Sequence, residues 1–362
     1  MKKMIMIGIA AVMAMGANAQ QTKLLTADKH NEYGLVYTLP QTALEIEVTA
    51  RRTVCKAGPY YQYAKKFLGT DKVIKEDYEK WEITGVSVKD YGVADQKNQY
   101  LMQLKNGSVT YICVDEDGML RAINKDMGAA SSNQTSAGRK DRQAKAEDKV
   151  TLNEYLQYVN EDFIASQSSA KRAQMLAESL MEIRDAKISL TRGTAETMPT
   201  DGRQLELMLN SLTHQEAALT AAFVGLTETE TVTRTFTYMP AEDGRTTLFR
   251  MSDFAGFVAA DDYSGEPVYL TVNVTNEGKL PVDAKGEEKK LPKDAVIYNI
   301  PGTARISIAT QGKTLYDKEM DFAQFGVQFG LSPSLFSSKK ERSFAIFDPN
   351  TGALLELGAD GE

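Results

Sequence analysis

The chain has 362 residues, of which 42% are hydrophobic, and a formal net charge of −7. This apolar content supports sizeable folded cores and excludes global disorder, and the length is typical of two or three domains. An acidic chain without a basic stripe is a poor candidate for binding nucleic acid or anionic membrane surfaces. We therefore expect no nucleic-acid partner.

The first 19 residues have the three parts of a secretory signal peptide. A positive region contains two lysines, an apolar run extends from Met4 to Met15, and Ala17-Asn18-Ala19 fits a cleavage site. No cysteine lies near the cleavage point, so a lipoprotein anchor is unsupported. No later stretch has the roughly 18 uninterrupted apolar residues that a spanning helix needs. We expect cleavage after Ala19, no membrane-spanning segment in the mature chain, and a periplasmic or extracellular location.

Residues 20–125 predict an antiparallel β unit that carries one short helix. The run "TALEIEVTA" alternates hydrophobic and polar residues, after a strand that is expected to end at Pro40. Asn106-Gly107 is a strong hairpin signal between two further strand-like runs. Cys55 and Cys113 both lie in such runs, where a disulfide between them and two buried thiols are both compatible with the pattern.

The aromatic stretch "AGPYYQYAKKFLGT", residues 57–70, predicts the short helix. Pro59 fits its first turn and Gly69 fits the position just after its end. At helical spacing the apolar face carries Tyr60, Tyr63, Ala64 and Phe67. Lysines lie on the opposite side, as in a helix packed on a sheet. The alternative is an aromatic platform for a sugar or base, and Tyr61, at the edge of this face, is the candidate ligand- or partner-binding residue.

The rest of the chain predicts a change from helix back to sheet. Residues 126–150 are small and polar and favour a flexible linker. Residues 151–226 predict a helical hairpin, in which Gly193 ends the first helix and Asp201 caps the second. Residues 227–362 contain strand-like runs separated by turn signals and predict an antiparallel β domain. Without βα alternation, the fold class is α+β, with antiparallel β units at both ends and a central helical hairpin.

Two β segments resemble each other at an offset of 261 residues. "VYTLPQTALEIEVTARRTV" and "IYNIPGTARISIATQGKTL" share residues that include Tyr37 with Tyr298 and Pro40 with Pro301. The hydrophobic alternation of the two slips by one residue further on. A duplicated β module and a chance match are therefore both open alternatives.

Residue types that carry common catalytic and metal chemistry are scarce. The two histidines, His30 and His214, are far apart in sequence, and there is no G-x-S-x-G, H-E-x-x-H, C-x-x-C or glycine-rich phosphate loop. "VDEDGML" and "FDPNTGAL" are typical of turns rather than calcium loops. We expect no metal site and no cofactor. A pair of carboxylates is a further option, since glycoside hydrolysis needs only two acids roughly 5–10 Å apart.

Several runs together resemble a family of secreted Bacteroidetes proteins that is defined by a domain of unknown function, number 4831. The resemblance is carried by "YTLPQTALEIEV", "GPYYQYAKKFLGT", "MPTDG", "HQEAALTAAFVG", "YNIPGTARISI", "AQFGVQFGLSPSLF" and "FDPNTGAL". These runs span nearly the whole mature chain. The resemblance implies an exported protein of Gram-negative bacteria and supplies no site residues.

These observations favour an exported, non-catalytic binding or interaction module of the bacterial envelope whose partner is a protein or a glycan. One alternative is a carboxylate-based hydrolase acting on a glycan. Another is a structural or assembly factor of the envelope. The sequence leaves catalysis open while leaning against it, and it assigns no catalytic residue.

Overall fold

The computed structural model describes residues 21–24, 34–103, 111–127, 149–336 and 342–360. The predicted signal peptide, most of the predicted linker, Asn106-Gly107 and His30 lie outside the described residues. Within them the α-helices are α1 (Ala64–Leu68), α2 (Glu161–Ala165), α3 (Ser169–Arg192) and α4 (Gly202–Val224), and 3₁₀ helices span Tyr61–Tyr63, Glu154–Tyr158 and Pro333–Phe336. The strands are β1 (Gln21–Leu24), β2 (Leu35–Lys56), β3 (Tyr78–Gln103), β4 (Ile112–Val114), β5 (Leu120–Ile123), β6 (Leu226–Tyr238), β7 (Gly244–Ser252), β8 (Gly256–Val258), β9 (Glu266–Asn276), β10 (Val296–Thr310), β11 (Lys313–Leu331), β12 (Arg342–Phe347) and β13 (Leu354–Asp360).

The strands form three sheets, and every paired strand in them is antiparallel. The first sheet has the order β1-β3-β2-β6, the second β11-β10-β9-β7-β8, and the third β13-β12-β5-β4. Together with the helices, this confirms the α+β class. Strands from both sides of the helical hairpin share the first and third sheets, because β6 pairs with β2 and β12 pairs with β5.

The first and second sheets face each other across the largest strand core. Its centre is formed by alternate residues of β2, among them Leu44, Ile46 and Val48, which are fully buried. From the second sheet, Phe249, Val268, Ile306 and Phe322 pack against them. Trp81 is half-buried and packs at the margin of this core.

The strand β2 runs for 22 residues through Pro40, where the sequence predicts an end. Its pairing with β3 shifts register between Thr38 and Pro40. The β6 partner begins only at Leu44. Pro40 is tolerated because its missing N–H falls on the side of β2 that no strand pairs at this point. Two predicted strands are therefore one.

The helices form a separate core that also takes in the aromatic stretch. Gly69 ends α1 with a φ of 69°, Gly193 ends α3 with a φ of 71°, and the Asp201 carboxylate accepts the backbone N–H of Gln204 at 2.7 Å, as predicted. Tyr60 is buried among Tyr155, Phe163 and Phe223. The expectation that this segment packs on a sheet is wrong, because its apolar face packs on helices.

The segments that resemble each other in sequence build the same local arrangement twice. Thr38, at the bulge of β2, donates its backbone N–H to Gly118, and Asn299, at the corresponding bulge of β10, donates to Gly352. Both glycines have a positive φ, of 78° and 71°, which suits them to these turns. Each turn is held by an aspartate that accepts backbone N–H groups, Asp115 in one and Asp348 in the other. The aspartates thus stabilise turns, as the sequence indicates.

The two cysteines are free thiols in different sheets. Cys55 is buried near the end of β2, with its Sγ 3.6 Å from the hydroxyl of Thr227. Cys113 is half-buried in β4 and pairs with Ala122. This geometry corresponds to the alternative of two thiols and not to a disulfide.

Candidate partner-binding site

The strand β6 forms one margin of the first sheet and has a strictly alternating sequence. Every second residue from Thr227 to Thr237 is a threonine, and all six are exposed. The intervening residues point to the opposite face, where Val232, Phe236 and Tyr238 reach the core between the sheets. The alternation therefore gives β6 a buried inner face and a polar outer face.

Hydrogen bonds at two residues, Thr42 and Thr49, fix the direction of the β2 backbone groups. Thr42 binds the side chain of Gln324 through both its N–H and its C=O, and the same side chain reaches Pro240, just beyond β6. The carbonyl of Thr49 accepts the hydroxyl of Thr84 from β3 on the other side. Successive residues alternate in direction, so the even-numbered residues of β2 face β6.

The same alternation shows which groups of β6 are unpaired. The register between β2 and β6 has no shift, and it pairs Val48 with Arg234 and Ala50 with Val232. The even-numbered residues of β6 therefore hydrogen-bond to β2, and the threonines direct their N–H and C=O groups away from it. In the part of the chain that the structure describes, these backbone groups have no hydrogen-bond partner. We call the row of threonine backbone groups from Thr227 to Thr237 the open edge.

The outer face beside the open edge is polar across three strands. Thr49 and Thr233 lie opposite each other with their hydroxyls 3.3 Å apart, and Arg51 pairs with Glu82 at 3.2 Å. Charges of both signs are interspersed here, and the exposed ion pair contributes little to stability. This face is hydrated, so specific recognition at this margin would depend mainly on the open edge.

The inner face of β6 carries charges on both sides of Val232. Arg234 lies over the ring of Phe257, 5.3 Å from its centroid, and no carboxylate lies within salt-bridge distance of it among the described residues. Glu230 is 3.5 Å from Arg52, and 64% of its side chain is exposed. Arg52 is held more closely by Glu79, at 2.7 Å, whose pKa it lowers. Both β6 charges are therefore accessible at the margin of the sheet.

The open edge was missed by sequence reasoning, although the sequence has a signal for it. The run "TETETVTRTFTY" alternates perfectly, but alternation alone does not show whether a strand is central or marginal. Arg234 lies on the inner face of β6, beside the ring of Phe257. The pairing with β2 that places β6 at the margin comes from residues about 180 positions earlier.

Tyr61, the residue that the sequence selects for binding, lies in the turn before α1 and is half-buried. Its hydroxyl accepts the side-chain amide of Gln62 at 3.4 Å. The neighbouring rings have packing roles, since Tyr60 is in the helical core and Tyr63 bonds Ser169 at 2.9 Å. A binding role for Tyr61 stays a prediction.

His214 joins two helical segments and does not form a catalytic triad with the nearby serine. Its Nε2 contacts the carboxylate of Glu154, beside a surface depression of about 410 Å³. The pKa of Glu154 is lowered, first by the backbone N–H of Thr151 and then by His214. Ser211 lies one turn earlier, but its hydroxyl accepts the amide of Gln215. The His214–Glu154 contact therefore attaches the segment before α2 to α4.

A cleft of about 230 Å³ is lined by four carboxylates and bears on the hydrolase alternative. Asp90, Glu319, Asp321 and Asp348 line it. The Asp348 carboxylate is occupied by backbone N–H groups of its own turn, and that of Asp90 accepts the side chain of Asn350. A glycosidase acid needs a raised pKa. Five carboxyl groups among the described residues have shifted pKa values, and in all five the pKa is lowered: Glu79, Glu154, Glu216, Asp262 and Asp317.

Within the described ranges, no group of three or more histidine, cysteine or acidic side chains is placed to hold a metal ion. Nor does any helix in those ranges have the length and apolar character needed to cross a membrane. No curated protein and no solved structure matches the chain. One family model does match, over residues 33–355, and it is described as a domain of unknown function (DUF4831). That match covers most of the sequence, and the chain therefore belongs to the DUF4831 family.

Proposed function

We propose that the protein is an exported, non-catalytic interaction module of the bacterial envelope that binds an extended protein segment along the open edge. The observation that supports the proposal is the row of unpaired N–H and C=O groups from Thr227 to Thr237. Such a row is a template for another strand, which gains affinity from backbone hydrogen bonds.

Its length and its support suit the open edge to this role. Peptide-binding sheets add one strand at a margin that is already ordered, so that little entropy is lost by the receptor. β6 pairs along its whole length with β2. Its inner side chains pack on the core through Val232 and Phe236. A segment that pairs here would extend a fixed sheet.

The predicted signal peptide and the family resemblance support an envelope location. Protein is favoured over glycan as the partner because the exposed feature is a backbone edge. The carboxylates of the Asp90 cleft are partly occupied by turn contacts, so the hydrolase alternative gains nothing from them.

The test is site-specific photo-crosslinking in cells that export the protein. A crosslinking amino acid replaces Thr233 at the open edge, and a matched one replaces Glu45, which is exposed on β2 and has a partner strand on both sides. We expect a discrete adduct from position 233 and little or none from position 45. Thr231→Pro removes one edge N–H without touching the bonds to β2, and it should abolish the adduct. Equal labelling from both positions, or an adduct that survives Thr231→Pro, would contradict the proposal.

A further inference from the structure

We infer that the segment paired with the open edge is β6 of a second copy of this chain, in an antiparallel arrangement. This inference rests on the proposed function and names its partner. It rests on the symmetry of β6 about its midpoint, Val232. Two copies of β6 that are aligned antiparallel at this residue match in backbone hydrogen bonding, in charge and in side-chain type.

The hydrogen bonding is compatible with a two-fold axis. β6 extends from Leu226 to Tyr238, so an antiparallel pairing that uses its full length places Val232 opposite Val232 of the other copy. In this register the odd-numbered residues face one another, and these are the residues whose backbone groups are free. Each threonine then exchanges N–H and C=O with a threonine of the second copy.

The charges match in the same register. Glu230 lies two residues before Val232 and Arg234 two residues after it, so each copy places its arginine directly opposite the glutamate of the other. The pair forms twice because of the symmetry. These positions are not hydrogen-bonded across the new pairing, where side chains approach most closely. Arg234 has no carboxylate in salt-bridge distance among the described residues, and Glu230 is 64% exposed on its side chain.

Charges on a marginal strand normally prevent association between copies. That protection works when equal charges meet. Pairing centred on Thr233 would bring Arg234 opposite Val232 and Glu230 opposite Phe236, so both opposite-charge pairs would be lost. Pairing centred on Thr231 would keep opposite charges together, Arg234 with Glu228, but would leave the last two residues of β6 without a partner strand. Length and charge together therefore favour the register centred on Val232. On the outer face, threonine meets threonine along the whole strand, which adds favourable cross-strand contacts.

The test uses purified mature protein in analytical ultracentrifugation with two charge-reversal variants. Arg234→Glu gives glutamates at both positions, and Glu230→Arg gives arginines at both. We expect the wild type to be a dimer and each variant to dissociate with a dimer constant weakened by roughly tenfold or more. An equimolar mixture of the two variants restores every opposite-charge pair, so it should form a heterodimer, identified by native mass spectrometry.

Thr231→Pro provides a variant that does not depend on charge, and it should also be monomeric. Melting temperatures of all variants, compared with the wild type, report folding separately. A wild-type dimer that persists in Arg234→Glu and in Thr231→Pro would overturn the inference. A monomeric wild type whose position 233 still gives an edge-dependent adduct of another mass would also overturn it, while leaving the proposed function intact. If there is neither a dimer nor an edge-dependent adduct, both fail.

Discussion

The side-chain amide of Gln324 binds both backbone groups of Thr42. The N–H of Thr42 donates to Oε1 at 2.9 Å, and Nε2 donates to the carbonyl of Thr42 at 2.8 Å. Nε2 also donates to Pro240 at 2.9 Å. One side chain of β11 therefore takes the place of a strand where β6 has ended, on the side of β2 that β6 covers further along.

Replacing Gln324 should destabilise the junction between the two large sheets. Gln324→Ala leaves the N–H and C=O of Thr42 without partners in a partly buried place, and we expect a loss of about 2 kcal/mol in the free energy of unfolding. Gln324→Glu keeps an acceptor for the N–H but cannot donate to either carbonyl. Urea denaturation should show both variants to be weaker than the wild type. If both retain wild-type stability, the Gln324 contacts contribute nothing.

Tyr60 and Tyr61 are neighbours with different expected roles. Tyr60 is 6% exposed and packs on three aromatic rings, so Tyr60→Ala should cost about 3 kcal/mol through the cavity it leaves. Tyr61→Ala removes a half-buried ring and should cost under about 1 kcal/mol. Thermal unfolding measures both. A Tyr61→Ala loss as large as that of Tyr60→Ala would show that the helical assignment of these faces is wrong.

Gly58 allows the aromatic stretch to approach α4. A Cβ at this position would lie 2.5 Å from the carbonyl oxygen of Ala222 and 2.7 Å from that of Ala221. Gly58→Ala should therefore displace the segment and cost more than about 2 kcal/mol. Gly69→Ala is the matched control, because its φ of 69° is strained for alanine while no atom lies within 4 Å, and it should cost about 1 kcal/mol. Denaturant titration that ranks them in the reverse order would contradict this close approach.

Glu216 links α4 to α3, and its contribution should depend on pH. Lys187 and Arg184 each donate to its carboxylate at 2.8 Å and lower its pKa below the ordinary 4.5. A lowered folded pKa contributes stability above the ordinary value, and this contribution is lost as the pH falls through the folded pKa. Glu216→Gln should therefore cost about 1 kcal/mol at neutral pH and progressively less below 4.5. A loss of equal size at neutral and acidic pH would show that the charge is not involved.

The sequence predicted local features of the fold well where short-range chemistry decides them. The ends of the long helices at Gly193 and Asp201 follow from cap chemistry, and the turn before Gly118 follows from its aspartate and glycine. The prediction that a strand ends at Pro40 was wrong because the effect of a proline depends on which side of the strand is paired. Only the position of β6 determines this for β2. α4 packs mainly through its second half, and Met208 in its first half is exposed.

The candidate site depended almost wholly on long-range pairing. The threonine alternation is visible in the sequence, but a central strand that packs on one face has the same pattern. The alternation therefore does not identify a marginal strand. The direction of the free backbone groups of β6 is deduced from the hydrogen bonds of Thr42 and Thr49 on β2, whose partners lie on β11 and β3. Tyr61 stands out in the sequence as an aromatic residue at the edge of an apolar face, whereas unpaired backbone groups have no residue signature.

Residue-resolved amide hydrogen exchange along β6 tests the account most directly. In the wild-type protein at high dilution, where a dimer dissociates, the amides of Thr229, Thr231, Thr233 and Thr235 should exchange fast, and those of Glu230, Val232 and Arg234 should be protected by their bonds to β2. At high concentration the threonine amides should become protected as well, and Arg234→Glu should keep them fast. Slow exchange of the threonine amides at high dilution would contradict the account, because those groups would then already have partners within a single chain.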